Sequence, residues 1–445
     1  MLRNTCPNCG VPLLRLGGET FCPCCGRLAS ITTFGVQLSD RVAEAHERVA
    51  KSRQSLEVFL RRALESGRFH ATAQTTKAVR EADVILVTVG TPVGEGNVPD
   101  YTDLINASRS VGRGLQRESL VILKSTVSPG TTENLVKPIL EEESGLTAGE
   151  DFGLAFMPET IKEGHALYEF RTLPRIVGGI TERCARAAAN VFSVFPAPVH
   201  IFESPSIVEA AKLFMNIYRD VNIALVNEFA LICERLGVDV MRAIQAANVD
   251  PKTHLLIPGL VGGACLPKDT YHLAYPAEEA GYRPQLITLA RRLNDSMPGH
   301  ILELVDEVFG EMGIPVRGAR IAVLGLGFKA NSGDLRNTPA KPIIEGLIQR
   351  GAHVVAQDPF ARFDEVHRIL PGLACTRDLR EAVQGASCTV IVTDHFEYRG
   401  LTARRLKEWM TWPCAIVDAR HIIDPREASS SGVFFRGLGK PRKTA

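Results

Sequence analysis

The sequence predicts an α/β protein: two Rossmann-like domains joined by a long central helix, the N-terminal one incomplete and preceded by a zinc ribbon. Three observations predict it. Apolar runs of the buried parallel-strand kind alternate with helical segments from residue 34 onward. Ser206 to Leu236 reads as one helix, from a Ser cap to Gly237 as stop, with apolar positions around most of its circumference. Two CPxCG turns crowd the first 33 residues.

Bulk properties narrow the function classes. The chain has 445 residues, room for two to four domains, and is 45% hydrophobic and 23% charged, as soluble globular chains are. A formal charge of +1 gives no general attraction to nucleic acid or acidic membranes. No apolar run reaches a membrane span, and no apolar signal core opens the chain, so a cytoplasmic protein is expected. Five of the eleven cysteines lie between Cys6 and Cys25, a clustering that suits metal better than a disulfide framework.

Residues 1–33 are expected to form the ribbon. Cys6 and Cys9 make one CxxC, Cys22 and Cys25 the second, with twelve residues between the pairs. Two such turns can complete a closed tetrahedral site of four thiolates, which stabilises a small fold and does no chemistry. Cys24 is left over. The segment resembles zinc ribbons of archaeal type that read CPxCGxPL…GExxCPxCG. Arg3, Arg15 and Arg27 stand against Glu19, a weak excess without a stripe, so nucleic acid is not the expected partner.

Residues 34–198 are expected to form the first α/β domain. Residues 34–38 read as a strand, and Ser39 or Asp40 as the cap of a helix through Val42, Ala45 and Val49. Strands are expected at Ala82–Gly90, ended by Thr91-Pro92, and at Ser119–Val127, which contains Thr126 and is followed by Ser128-Pro-Gly-Thr-Thr132. Hydroxyls and glycine at the carboxyl ends of parallel strands are where doubly wound folds hold ligands. A short strand at Gly153–Phe156 leads to Glu159 and Glu163, candidate site carboxylates. No GxGxxG opens the domain, and Gln37 stands where a carboxylate for an adenosine ribose is expected.

Residues 199–300 are expected to be helical and to carry the reactive residues. Lys212 and Asn216 are i and i+4 and share a helix face, where an ammonium and an amide can stabilise an oxyanion. Val261-Gly-Gly-Ala-Cys-Leu-Pro-Lys-Asp269 puts Cys265 after paired glycines, with Lys268 three residues on and Asp269 four. Glycines let a backbone approach a ligand, a thiolate is a nucleophile, and a carboxylate can hold or activate water. Such a set suits covalent chemistry on an aldehyde or thioester.

Residues 301–445 are expected to form the second α/β domain. Arg320 opens a strand running into GxGxxA at 325–330, His353–Asp358 is a second strand ending in an acid, and Ser387–Thr393 and Pro413–Asp418 continue the sheet. Lys329, Asp334 and Arg336 follow the glycine loop and are placed to reach phosphate or ribose. The tail from Gly437 to Ala445 is expected to fray.

Three motifs in order carry a family resemblance: Lys212-x3-Asn216, GGACLPKD at 262–269 and GLGFKANSGDLRNTPA at 325–340. Over roughly residues 34–430 the chain resembles the UDP-glucose/GDP-mannose dehydrogenases. The segments at 158–179 and 216–240 make it most similar to the UDP-N-acetyl-D-mannosamine 6-dehydrogenases. The resemblance implies two Rossmann-like domains flanking a helical dimerisation domain, NAD in the first, the UDP part of the substrate in the last, and a homodimer. It implies double oxidation of the sugar C6 hydroxyl to a carboxylate with two NAD, through a Cys265 thiohemiacetal and thioester. Lys212 and Asn216 match the oxyanion stabilisers, Asp269 the carboxylate that orients water or takes a proton, Thr126 and Glu159 the residues flanking the reacting sugar. Thr91, Thr126, Lys268 and Arg336 match cofactor positions; Glu163, Gly263, Phe328, Lys329 and Arg420 match substrate positions. Three features depart from the family pattern: the N-terminal glycine loop is absent, Pro258–Gly263 is one residue shorter than PGxGVGG, and Lys252 replaces an Arg. They keep a second reading open, an NAD-deficient UDP-sugar-binding or ribbon-mediated interaction protein.

Overall fold

The computed structural model of the chain describes residues 14–16, 19–22, 26–27, 58–161 and 166–441. The chain divides into two compact units, Met1–Arg62 and Ala63–Ala445. In the first, β1 (Leu14–Leu16), β2 (Glu19–Cys22) and β3 (Gly26–Arg27) form an antiparallel sheet in that order. Leu14 pairs with Phe21, and Cys22 with Gly26, so the second CPxCG links two paired strands. Cys6, Cys9, Cys25, the strand and helix expected at 34–49, and Glu163 lie outside the described residues.

The second unit begins with half of a doubly wound domain. Strands β4 (Val84–Val87), β5 (Leu120–Leu123), β6 (Gly153–Phe156), β7 (Arg175–Gly179) and β8 (Val199–Phe202) stand side by side in chain order. The first three are mutually parallel, β7 runs antiparallel to β6, and β8 is parallel to β7. Helices α1 (Thr75–Arg80), α2 (Thr102–Gly112) and α3 (Lys137–Ser144) cover one face, packing Val79, Leu104 and Leu140 near Ile85 and Val87. After α4 (Ala166–Thr172), helix α5 (Glu182–Phe192) covers the other face with Ala188 and Phe192 against Ile122 and Val177.

The run at 82–90 was expected to be buried on both faces, and the structure corrects this. The strand is only Val84–Val87, and while Ile85 and Val87 are buried, Val84 and Leu86 are 38% and 46% exposed. Side chains alternate across a sheet, so a strand is buried twice only where both faces are covered. Among the described residues the β4 end of the second face has no covering helix comparable with α5.

Helix α6 (Pro205–Leu236) has 32 residues, about 48 Å at 1.5 Å per residue. Its cap is Ser204, whose Oγ accepts from Ile207 N–H, and not Ser206, whose hydroxyl donates to Glu133 instead. Pro205 sits at the first helical position and Gly237, at φ +70°, ends the helix in the left-handed conformation. Helices α7 (Val240–Ala247), α8 (Leu266–Glu279) and α9 (Leu286–Met312) follow.

The last domain is a six-stranded parallel sheet: β9 (Arg320–Leu324), β10 (His353–Gln357), β11 (Ala374–Thr376), β12 (Cys388–Ile391), β13 (Ala415–Asp418) and β14 (Phe434–Gly437). Its order, β11-β10-β9-β12-β13-β14, is the 3-2-1-4-5-6 order of a dinucleotide-type doubly wound sheet. The tail does not fray over the residues described. Leu438 is fully buried, Gly439 N–H donates to Glu234 Oε1 at 2.8 Å, and Lys440 Nζ lies 2.9 Å from Asp239 Oδ2. Glycine and lysine composition signals a loose end, but two carboxylates near the end of α6 give this backbone and side chain partners. No helix among the described residues is long and apolar enough to cross a membrane.

Candidate active site

Cys265 is the cap residue of α8 and is exposed, so the thiol stands at the positive end of a 14-residue helix. The paired glycines before it are required by packing. Gly263 has φ +92°, and a Cβ there would lie 2.6 Å from the Phe328 ring. A Cβ on Gly262 would lie 2.6 Å from the Asn337 carbonyl. Gly263 N–H donates to the Arg336 carbonyl at 3.0 Å, and Asn337 Nδ2 donates to the Gly263 carbonyl at 3.1 Å. The loop ahead of Cys265 is thus laid on the loop that carries Phe328, Lys329 and Arg336. At its other end Gly259 faces Arg420, whose guanidinium holds Asp394.

One turn into α8 the carboxylate is gripped from two sides. Asp269 is fully buried; Asn216 Nδ2 donates to its Oδ2 at 2.6 Å, and Lys268 Nζ donates to its Oδ1 at 3.1 Å. Lys212, one turn before Asn216 on α6, is also buried. Helix α6 therefore buries Lys212 and Asn216 one turn apart, and from there Asn216 reaches Asp269 on α8.

The third wall comes from the first sheet. Thr91 Oγ1 donates to the Thr126 carbonyl at 2.6 Å, tying the turn after β4 to the turn after β5. Glu159, after β6, accepts from the N–H groups of Thr160 and Ile161 at 2.9 and 2.8 Å, and its carboxylate lies 3.7 Å from Lys124 Nζ. Gly90 has open space where a Cβ would point. The hydroxyl-lined ends of β4 and β5, open at Gly90 and facing α8, suit the reacting end of a dinucleotide.

Sequence reasoning missed two basic side chains here. Lys124 was absorbed into a strand, yet it is buried, donates to the Met157 carbonyl at 3.3 Å and stands over the Phe192 ring at 5.1 Å. Burial pushes its ammonium pKa down, and Arg175 and Lys212 push the same way, against the pull of Glu159. His272 lies one helical turn beyond Lys268, a spacing that was readable, but its partners Thr91 and Tyr101 are distant in sequence.

In the last domain the acid after β10 is not turned toward a ligand. Asp358 is fully buried; its Oδ2 accepts from Leu326 N–H, Gly327 N–H and His395 Nε2, and its Oδ1 from Phe360 and Ala361 N–H. Burial alone would raise its pKa, but the His395 bond and the loop N–H groups outweigh that and hold it below the ordinary value. Asp358 therefore pins the glycine loop shut. Asp334 is engaged by Arg336 through its guanidinium.

The fold and these residues define a two-domain α/β protein with a cysteine between the domains. Three sequence-family descriptions match in order: UDP-glucose/GDP-mannose dehydrogenase family, NAD binding domain, over 37–196; the central domain over 207–296; and the UDP binding domain over 322–425. A fourth, Sjogren's syndrome/scleroderma autoantigen 1 (Autoantigen p27), matches residues 1–26. The chain is 36% identical over 383 residues to a UDP-N-acetyl-D-mannosamine dehydrogenase of Pyrococcus horikoshii, covering 86% of each. It is 34% identical over 405 residues to a UDP-N-acetyl-D-glucosamine 6-dehydrogenase of Salmonella typhi, covering 91% of this chain and 93% of that protein. A solved UDP-D-ManNAc dehydrogenase structure from Pyrococcus horikoshii superposes with a TM-score of 0.78 at 35% identity, covering 86% of each chain. The chain belongs to the UDP-glucose/GDP-mannose dehydrogenase family.

Proposed function

We propose that this chain is a nucleotide-sugar 6-dehydrogenase. It oxidises C6 of a UDP-sugar, UDP-N-acetyl-D-mannosamine foremost, to the uronate with two NAD. The single observation that carries the reading is Asp269, buried and held by Asn216 and Lys268 one turn from the exposed Cys265 thiol. The relatives named as UDP-N-acetylmannosamine dehydrogenases support the substrate.

NAD, when bound, accepts the hydride lost at C6 in each oxidation. In the first oxidation the C6 hydroxyl releases its proton to water, and Lys212 and Asn216 donate to the C6 oxygen as negative charge builds on it. The Cys265 sulfur then bonds to the aldehyde carbon, its proton leaving toward Asp269, and the resulting thiohemiacetal is oxidised to a thioester. Asp269 next orients water, which adds to the thioester carbon; the C–S bond breaks and Cys265 recovers a proton. Thr126 and Glu159 flank the reacting sugar. Thr91, Lys268 and Arg336 approach the cofactor, while Glu163, Gly263, Phe328, Lys329 and Arg420 hold the UDP-sugar.

In this reading 1–33 is a zinc ribbon with Cys6, Cys9, Cys22 and Cys25 as ligands, 34–198 the NAD domain, 199–300 the helical dimerisation domain and 301–445 the UDP domain. The Cys22–Gly26 register of the β2–β3 pair supports the ribbon. A second copy of the chain is the proposed partner for α6, which exposes Phe214, Tyr218, Leu225, Phe229, Ile232 and Leu236 at helical spacing.

The test is NADH formation by purified protein with NAD and a panel of UDP-sugars. Two NADH per sugar supports the dehydrogenase. A folded protein that binds UDP-sugar without turnover favours the second reading, an NAD-deficient UDP-sugar-binding protein. The absent N-terminal GxGxxG speaks for that alternative.

A further inference from the structure

His272 is fully buried in the second turn of α8 and bonds Thr91 and Tyr101, at the two ends of the β4–α2 connection. Its Nε2 lies 3.1 Å from the Thr91 carbonyl, which can only accept, so Nε2 carries the proton. Nδ1 is then an acceptor, and the Tyr101 hydroxyl, 3.2 Å away, is its donor. The Tyr101 oxygen in turn accepts from Ser128 N–H at 2.8 Å, and the two hydroxyls lie 2.8 Å apart. Thr91 closes the turn after β4, and Ser128 lies two residues beyond Thr126 in the turn after β5. One neutral imidazole thus bonds the reacting helix to both ends of the β4–α2 connection, and through Tyr101 to the turn after β5.

Lys268 Nζ lies 3.4 Å from the same Nε2 while donating to Asp269. A proton-bearing Nε2 and an ammonium cannot bond each other. The lysine is therefore left to the carboxylate.

We propose that His272 is a positioning residue: it sets the register of α8, and with it Cys265 and Asp269, against the turns carrying Thr91 and Thr126. Two directional bonds, to Thr91 and to Tyr101 at the two ends of the β4–α2 connection, fix both the rotation of the helix about its axis and its distance from the sheet. An apolar side chain of the same volume would fix only the distance. Burial and the neighbouring Lys268 charge push the imidazole pKa down to about 4, so the ring keeps this bonding pattern at neutral pH.

The kinetic consequence rests on the dehydrogenase reading; the geometric one does not. The test compares His272→Leu, His272→Gln and Tyr101→Phe in the full chain. Readouts are kcat and KM for UDP-N-acetylmannosamine, and the rate of iodoacetamide alkylation of the Cys265 peptide by mass spectrometry. In His272→Leu, kcat is expected to fall about tenfold to a hundredfold with KM within about twofold. His272→Gln, whose amide N–H replaces Nε2–H toward Thr91, recovers most of the loss. Tyr101→Phe, which removes the donor to Nδ1 and the link to Ser128 but leaves the bond to Thr91, falls between the two. Cys265 alkylation shifts at least about threefold in the Leu variant and returns toward the original rate in the Gln variant.

A Leu variant with kcat within about twofold of the original, or a Gln variant as impaired as Leu, overturns the proposal. If the Leu variant does not fold, the Gln and Tyr101→Phe pair decides on the same terms. If the unmodified protein makes no NADH with any UDP-sugar, the dehydrogenase reading fails. The alkylation rates then decide the positioning role alone: unchanged rates overturn it, and the Leu-specific shift supports it.

Discussion

Asn216 on α6 and Asp269 on α8 are joined by a 2.6 Å hydrogen bond between two buried side chains 53 residues apart. The amide fixes which face of the carboxylate stays open, because Lys268 occupies the other oxygen. Asp269→Asn keeps the shape but removes the proton acceptor and the partner of Lys268. It is expected to lower kcat by about a hundredfold to ten-thousandfold, as loss of a general base does, with UDP-sugar affinity by calorimetry unchanged. A kcat near the original value would assign the carboxylate to structure alone.

Cys265 is exposed at the start of α8 and packs into no core, so its replacement leaves the fold intact. Cys265→Ser is expected to abolish net acid formation while circular dichroism and oligomeric state stay as they were. Loss of folding with the Ser variant would make the residue structural.

The parts of this arrangement readable in the sequence were those carried by local patterns. The strand at Gly153–Phe156 and the end of α6 at Leu236 were placed correctly because apolar runs and a glycine stop mark them. Strand β7, Arg175–Gly179, went unread: it opens on a charge and ends on paired glycines. Arg175 is held there by Phe170, Phe192 and Phe195, whose rings surround its guanidinium. No local signal announces that. His272 and Tyr101 are 171 residues apart, and Asp358 meets His395 across 37, so their roles exist only in the folded chain. Over residues 437–441 the fraying expected of the tail fails for the same reason, since Glu234 and Asp239 supply partners from α6 and the turn after it.

Gly263 carries both a left-handed backbone, φ +92°, and a Phe328 ring 2.6 Å from where a Cβ would sit. Gly263→Ala is expected to cost about 2–4 kcal/mol, combining backbone strain with overpacking. It also displaces Phe328, so UDP affinity by calorimetry falls together with the unfolding midpoint in denaturant. A variant with both quantities unchanged would show that the loop has slack.

Arg291 and Asp220 form a pair buried between α9 and α6, with Asn294 donating to Asp220 at 2.9 Å. Burial raises the Asp220 pKa, and Arg291 opposes that most strongly. Arg291→Met strands the carboxylate and is expected to cost about 3–5 kcal/mol. Adding Asp220→Leu should recover much of that, because two apolar side chains need no partner. Denaturant unfolding of the single and double variants measures it, and equal losses in both would refute the coupling.

Two histidines make stability depend on pH in a defined window. Burial pushes His272 and His421 down to about 4, while an unfolded histidine titrates near 6.5. Between those values the unfolded chain binds more protons, so stability rises with pH and is lost as pH falls from about 6.5 toward about 4. His300 has the opposite sign. Bonds to Glu234 outweigh its burial and raise its pKa, so its contribution is full below about 6.5 and fades as pH climbs through the raised value. His272→Gln removes one of the two acid-labile groups and leaves His300 in place. Relative to this variant, the original protein should lose about 2 kcal/mol of stability between pH 7 and pH 5. Carboxylate titrations are common to both chains and cancel in the comparison. The measurement is the difference in unfolding midpoint at each pH. A constant difference across that range would mean the imidazole is charged in the folded chain or that water reaches it.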